Sequence, residues 1–158
     1  MYERSYGAKY DKSISTTEIA KRFRADVKAA LAAGELPKGL KVSIRTSYFS
    51  GGSSIDVRIV SAPFSIMNKK RIEHDVRTPN APLSDDERPL HSERAREVLA
   101  TLEGMLQAYN HDGSEIQSDY FDVRFYGHVN FEHEQERAER AAVEALVPAA
   151  EPVAAVAR

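Results

Sequence analysis

The chain has 158 residues, 42% of them hydrophobic and 29% charged, which is the composition of a folded globular protein and not of a disordered one. No run of about 18 apolar residues is present, so no membrane span is expected. The lack of cysteine excludes disulfides and thiolate chemistry and leaves zinc only His and carboxylate ligands. Charge is unevenly spread: residues 1–77 hold 15 Lys/Arg and 8 Asp/Glu, net +7, and residues 78–158 hold 7 and 16, net −9. Such asymmetry either neutralises itself within the fold or marks a surface for a charged partner.

Residues 1–13 are polar with three tyrosines and read as a loose arm that one ring could pin. Ser15-Thr-Thr-Glu18 is a capping box, flanked by Ile14 and Ile19 at the staple positions. Ile19, Phe23, Val27, Ala30 and Leu31 form one apolar stripe that stops at Gly34 and Pro37, so a helix is predicted over Thr16 to Ala33. Leu40 to Phe49 and Ser54 to Val60 alternate with period two around Ser50-Gly51-Gly52-Ser53. A Gly-Gly two-residue turn predicts a hairpin with Tyr48 facing Ile55, Thr46 facing Val57 and Ile44 facing Ile59. Arg45 then lies opposite Arg58 on the other face.

Four prolines between Ala62 and Leu90 argue for a wrapping loop with about one turn of helix at Ile66, Met67 and Ile72, and with Lys69-Lys70-Arg71 as its basic run. Ser84-Asp-Asp-Glu87 is a second capping pattern. Ala95, Val98, Leu99, Leu102, Met105, Leu106 and Tyr109 share a face and predict a helix from about Leu90 to Tyr109. Ser118 to Phe131 alternates as a third strand, with Phe121, Val123 and Phe125 on one side and Tyr120, Asp122, Arg124, Tyr126 and His128 on the other. Glu132 to Leu146 reads as an acidic helix with a thin stripe of Ala138, Ala141, Ala142 and Leu146, and residues 147–158 as a disordered tail. The order α-β-β-loop-α-β-α predicts an α+β domain over residues 14–131. It has two layers, a three-stranded antiparallel sheet with helices packed on one face.

The other face of that sheet would then be wet. Arg45 and Arg58, paired like charges, need compensation by a carboxylate or by an anion. With Arg124 and Tyr126 they suggest a surface for single-stranded nucleic acid, and Lys69, Lys70 and Arg71 are the phosphate-contact candidates outside it. Catalytic patterns are missing: the five histidines show no HExxH or i, i+4 pair, and no Walker A, GxGxxG or G-x-S-x-G occurs. Asp119, Asp122 and His128 are the residues a metal-dependent hydrolase would use, but the expectation is a protein with no enzymatic activity and no cofactor. The two edges of the predicted sheet leave room for a homodimer.

Two stretches carry a family likeness. One is Ile14-Ser-Thr-Thr-Glu-Ile-Ala-Lys21 with Val42-Ser-Ile-Arg-Thr-Ser-Tyr-Phe-Ser-Gly-Gly-Ser-Ser-Ile-Asp-Val57, and the other is Tyr109-Asn-His-Asp-Gly-Ser-Glu-Ile-Gln-Ser-Asp-Tyr-Phe-Asp-Val-Arg-Phe-Tyr126. Over roughly residues 14–131 the chain resembles the large polyvalent protein-associated domain of type 29 and the small stand-alone actinophage proteins of that pattern. The resemblance implies a phage or mobile-element origin and an accessory role in the cytoplasm of a bacterial host; with the missing catalytic groups and the charged halves it leads to the expectation of a protein that binds a host or defence macromolecule, with a nucleic-acid-binding module as the alternative. It supplies no catalytic residue or ligand.

Overall fold

A computed structural model describes residues 5–112 and 123–148. Their elements are β1 (Ser5–Tyr6), α1 (Thr16–Ala33), β2 (Lys41–Phe49), β3 (Gly52–Ser61), α2 (Lys69–Arg77), α3 (Glu93–Gln107), β4 (His111–Asp112), β5 (Tyr126–Phe131) and α4 (His133–Leu146). By backbone proximity they divide into two units: residues 5–63 with 98–131, and residues 64–97 with 132–148. The boundary falls inside α3. Among the described residues no helix is long and apolar enough to cross a membrane.

In the first unit, α1 starts and ends where its sequence signals stand. The Ser15 hydroxyl accepts from the Glu18 amide, and Gly34 closes the helix at φ 79°. The Glu18 carboxylate does not return to Ser15 but pairs with Arg22 at 3.2 Å. Ile19, Phe23, Val27 and Ala30 are buried, and Phe23 is fully enclosed, which is worth about 2–3 kcal/mol.

The hairpin forms, but its turn is Ser50-Gly51 and not Gly51-Gly52. Phe49 pairs with Gly52, Thr46 with Ile55, Ile44 with Val57 and Val42 with Ile59. Gly51 alone of the two glycines takes a positive φ, 99°. Moving a turn by one residue changes every partner by two positions, so parity is kept and the same side chains face inward. Arg45 is therefore opposite Asp56, and Arg58 is opposite Ser43. The expected Arg45–Arg58 clash does not exist.

The sheet order is β2-β3-β5, with β3 central. β5 runs parallel to β3, with Ser54 opposite Tyr126 and Ile59 opposite Phe131. The expected all-antiparallel sheet is thus corrected to a mixed one. More than sixty residues separate the two strands, ample for the long crossover that a parallel pair requires. Ile55, Val57 and Ile59 of β3 are completely buried, with Val129 and Phe131 of β5 beside them. Leu106 of α3 lies over Gly127, where a Cβ would come within 2.9 Å of Leu106 Cδ2. β2 is an edge strand, and Arg24 reaches from α1 to the Ile44 carbonyl at 2.7 Å.

The N-terminal arm is tied down from Ser5 onward. A two-residue antiparallel ladder joins Ser5 to Asp112 and Tyr6 to His111, and the Gly7 and Lys9 amides donate to Asn110 and Ala108 carbonyls at 2.8 Å. A Cβ on Gly7 would stand 2.2 Å from the Ala108 oxygen, so only glycine fits. Lys9 pairs with Asp26 at 3.0 Å, and the Tyr109 hydroxyl donates to the same carboxylate. Burial, then that hydrogen bond, pushes the Tyr109 phenol well above its ordinary pKa.

In the second unit the expected single turn of helix is a nine-residue helix, α2, capped by Asn68. Lys69, Lys70 and Arg71 form its first turn and not a loop. The helix α3 begins at Glu93, later than expected, because the Ser92 hydroxyl caps the Ala95 amide at 3.2 Å and donates to the Ser65 carbonyl at 2.7 Å. The Ser84–Glu87 pattern closes as a turn and starts no helix: the Ser84 amide donates to the Glu87 carboxylate at 2.9 Å, and the Glu87 amide donates to the Ser84 carbonyl at 3.1 Å. The acidic helix α4 lies where expected, but its stripe does not pack. Ala138, Ala141 and Ala142 are exposed, Leu146 is 84% exposed, and only Val143 is buried. Polar contacts hold the helix instead. Glu139 accepts from the Ile66 and Met67 amides at 3.0 and 3.1 Å, and Arg140 joins Asp75 at 3.0 Å while Arg71 joins it at 3.2 Å.

Candidate functional site

The face of β2-β3-β5 away from α1 is polar because the same alternation that points Ile55, Val57 and Ile59 inward points their neighbours outward. The observed registers arrange these neighbours in three rows across the sheet. Ser47, Ser54 and Tyr126 form one, Arg45, Asp56 and His128 the next, and Ser43, Arg58 and Asn130 the third. Arg45, Ser47, Arg58, His128 and Asn130 are exposed, and Asp56 and Tyr126 half-buried. Arg45 and Arg58 are diagonal neighbours, each beside a polar partner, which makes their proximity tolerable without a bound anion.

At the hairpin end lies a ring pair of which the alternation pattern signals one half, since Phe49 shares the parity of Ser43, Arg45 and Ser47, but not the meeting. Phe49 is 47% exposed, and its ring sits 5.9 Å from that of Tyr126, tilted by 34°. Gly52 lies beneath the pair, where a Cβ would meet Tyr126 Cε2 at 3.4 Å and Phe49 Cε2 at 3.5 Å, ordinary contact distances. The sequence reading placed Tyr126 on this face but missed Phe49, whose meeting with Tyr126 depends on the turn position and on β5 lying parallel beside β3. Tyr48, of the opposite parity, is spent on structure. Its hydroxyl accepts from the Thr17 amide at 3.0 Å and lies 2.6 Å from the Thr17 hydroxyl, whose hydrogen bond holds the phenol below its ordinary pKa.

Of the sequence-predicted site residues, Arg45, Arg58 and Tyr126 come together on this face. Arg124 does not join them. It precedes the first ladder residue of β5, so strand parity does not govern it, and its guanidinium donates to the Ile14 carbonyl at 2.5 Å. Its amide is bound by Asn110, a buried side chain that organises the start of β5. Asn110 Oδ1 accepts from the His111, Arg124 and Phe125 amides at 3.0, 2.9 and 3.3 Å, and Nδ2 donates to the Phe125 carbonyl at 2.9 Å.

Lys69, Lys70 and Arg71 belong to the second unit. Lys70 pairs loosely with Asp86 at 3.5 Å. Arg71 is engaged with Asp75 and donates to the Arg88 carbonyl at 2.8 Å.

Chemically, the open face can donate hydrogen bonds, attract anions and offer aromatic surface. Asp56 and His128 are register partners, yet no nucleophile is held by a hydrogen bond to that imidazole among the described residues. No group of three His, Asp or Glu that could hold a metal occurs among them either. Asp119 and Asp122, named for the hydrolase alternative, lie outside the described residues. Comparison of the chain with protein-family models, with curated proteins and with solved structures finds no match.

Proposed function

We propose that the chain is a non-enzymatic accessory protein that binds a macromolecular partner through the open face of β2-β3-β5, and that this partner is a nucleic acid. The Phe49–Tyr126 ring pair on the same sheet face as Arg45 and Arg58 carries the reading, because aromatic surface and guanidinium groups on one face match the two parts of a nucleotide, its base and its phosphate. The described residues of the sheet-bearing unit hold eleven Lys/Arg against seven Asp/Glu, a small positive excess. Asp56 offsets part of the attraction at Arg45, so binding of modest strength with a shallow salt dependence is expected.

The phage or mobile-element origin rests on the resemblance of the two stretches described above. A host or defence protein is the second reading, favoured by the exposed Phe49 and Val60 at the two ends of the face. A pull-down from bacterial lysate, with and without nuclease, separates the two. Nuclease-sensitive capture that Arg45→Glu and Arg58→Glu abolish supports the first. Nuclease-resistant capture of one protein, lost in the same variants, replaces it with the second.

A further inference from the structure

Resting on the nucleic-acid reading, we infer that the open face binds single strands and not duplex, taking a run of two or three nucleotides. Its bases stack on Phe49 and Tyr126 and its phosphates approach Arg45 and Arg58.

Three observations lead there. First, the rings lie on the surface of a sheet, and an aromatic ring can stack only on a base whose own face is free. A duplex covers both faces of every internal base, whereas single strands leave them available. Second, duplex grooves admit a helix or a two-stranded ribbon. The tip of the β2-β3 ribbon, Phe49-Ser50-Gly51-Gly52-Ser53-Ser54, carries no charge with which to enter a groove lined by phosphates. The arginines stand back from that tip on the flat of the sheet. Third, the dimensions suit a short strand. The row of Tyr126 and the row of Arg58 are four residues apart along β3, about 13 Å at a strand's rise of ~3.3 Å per residue. Sheets that stack bases on two aromatic positions typically hold two or three nucleotides. The row between holds Arg45, Asp56 and His128, and Ser47 in the Tyr126 row with Ser43 and Asn130 in the Arg58 row add hydrogen-bonding groups that can meet base edges or sugar hydroxyls.

The test is fluorescence anisotropy on the full chain with a labelled six-nucleotide oligo-dT, the same length of oligo-U, and a blunt duplex as competitor. Single strands should bind tighter than the duplex. Phe49→Ala and Tyr126→Ala should each weaken binding roughly 5- to 100-fold, and Phe49→Trp should restore it. Arg45→Ala and Arg58→Ala should each make the slope of log affinity against log salt shallower by about 0.7. Phe49 is exposed, so its variants keep the fold, and matched thermal melts verify this. Duplex binding as tight as single-strand binding, or alanine variants with unchanged affinity, overturns the inference and leaves the nucleic-acid reading standing. No binding of any of the three probes at low salt removes both.

Discussion

Asn110→Ala isolates the device that sets the start of β5 and therefore the place of Tyr126. Asn110 is 5% exposed. Its removal strips the acceptor from the His111, Arg124 and Phe125 amides and the donor from the Phe125 carbonyl. His111 and Arg124 are half-buried, so water replaces the lost partner there at about 0.5 kcal/mol each. Phe125 is 1% exposed, and its two orphaned groups cost about 1 kcal/mol or more apiece. The expected loss is about 3 kcal/mol, a large part of the stability of a protein this size, and a fall in melting temperature of about 6–12 °C. Urea denaturation followed by far-ultraviolet circular dichroism measures it. Asn110→Asp should recover only part of the loss, since a carboxylate accepts from the amides but cannot donate to the Phe125 carbonyl. A cost below about 0.5 kcal/mol for the alanine variant would refute the assignment of Asn110 as the organiser of this corner.

Other outcomes follow from the same contacts. Gly51→Ala should cost about 1–2 kcal/mol because Gly51 is held at φ 99°, whereas Gly52→Ala should cost less, since its Cβ would meet the Phe49 and Tyr126 rings at ordinary contact distance; the reverse order in a melting series would place the turn at Gly51-Gly52 after all. A double-mutant cycle on Arg45 and Asp56 should show favourable coupling of about 0.2–1 kcal/mol, and zero or repulsive coupling would contradict the register. Burial raises the Asp75 carboxyl, but hydrogen bonds from Arg140 and Arg71 outweigh it and hold its pKa below the ordinary 3.8. The stability it contributes is therefore full above that value and lost as pH falls through the lowered one. Asp75→Asn should remove that acid-side loss and lower stability at neutral pH, as a pH series of urea melts checks. His74 is 6% exposed, neither ring nitrogen is hydrogen-bonded among the described residues, and Nδ1 stands 3.8 Å from Asp75, so His74→Leu should be neutral or stabilising; a loss above 1 kcal/mol would show that the imidazole is used.

The local signals of this chain were readable because they depend on neighbours in sequence. The Ser15 cap, the Gly34 stop and the α1 stripe act within one helix. Parity along β2 and β3 assigned Arg45 and Arg58 to the wet face whichever partner each has. The location of α4 was legible too, but not what holds it. Glu139 grips two amides about seventy residues away, and a polar contact at that range leaves no period in the sequence.

What only the tertiary structure decided were matters of partnership. Either glycine of a Gly-Gly pair can supply the positive φ of a tight turn, and the register of β2 with β3 in the fold places it at Gly51. Alternation along β5 is the same whether it runs with β3 or against it. The long connection between β3 and β5 permits either direction, so direction is settled by tertiary packing, and with it the meeting of the two rings on which the proposed binding surface depends. Inward and outward is a property of a single strand, whereas opposite whom is a property of two.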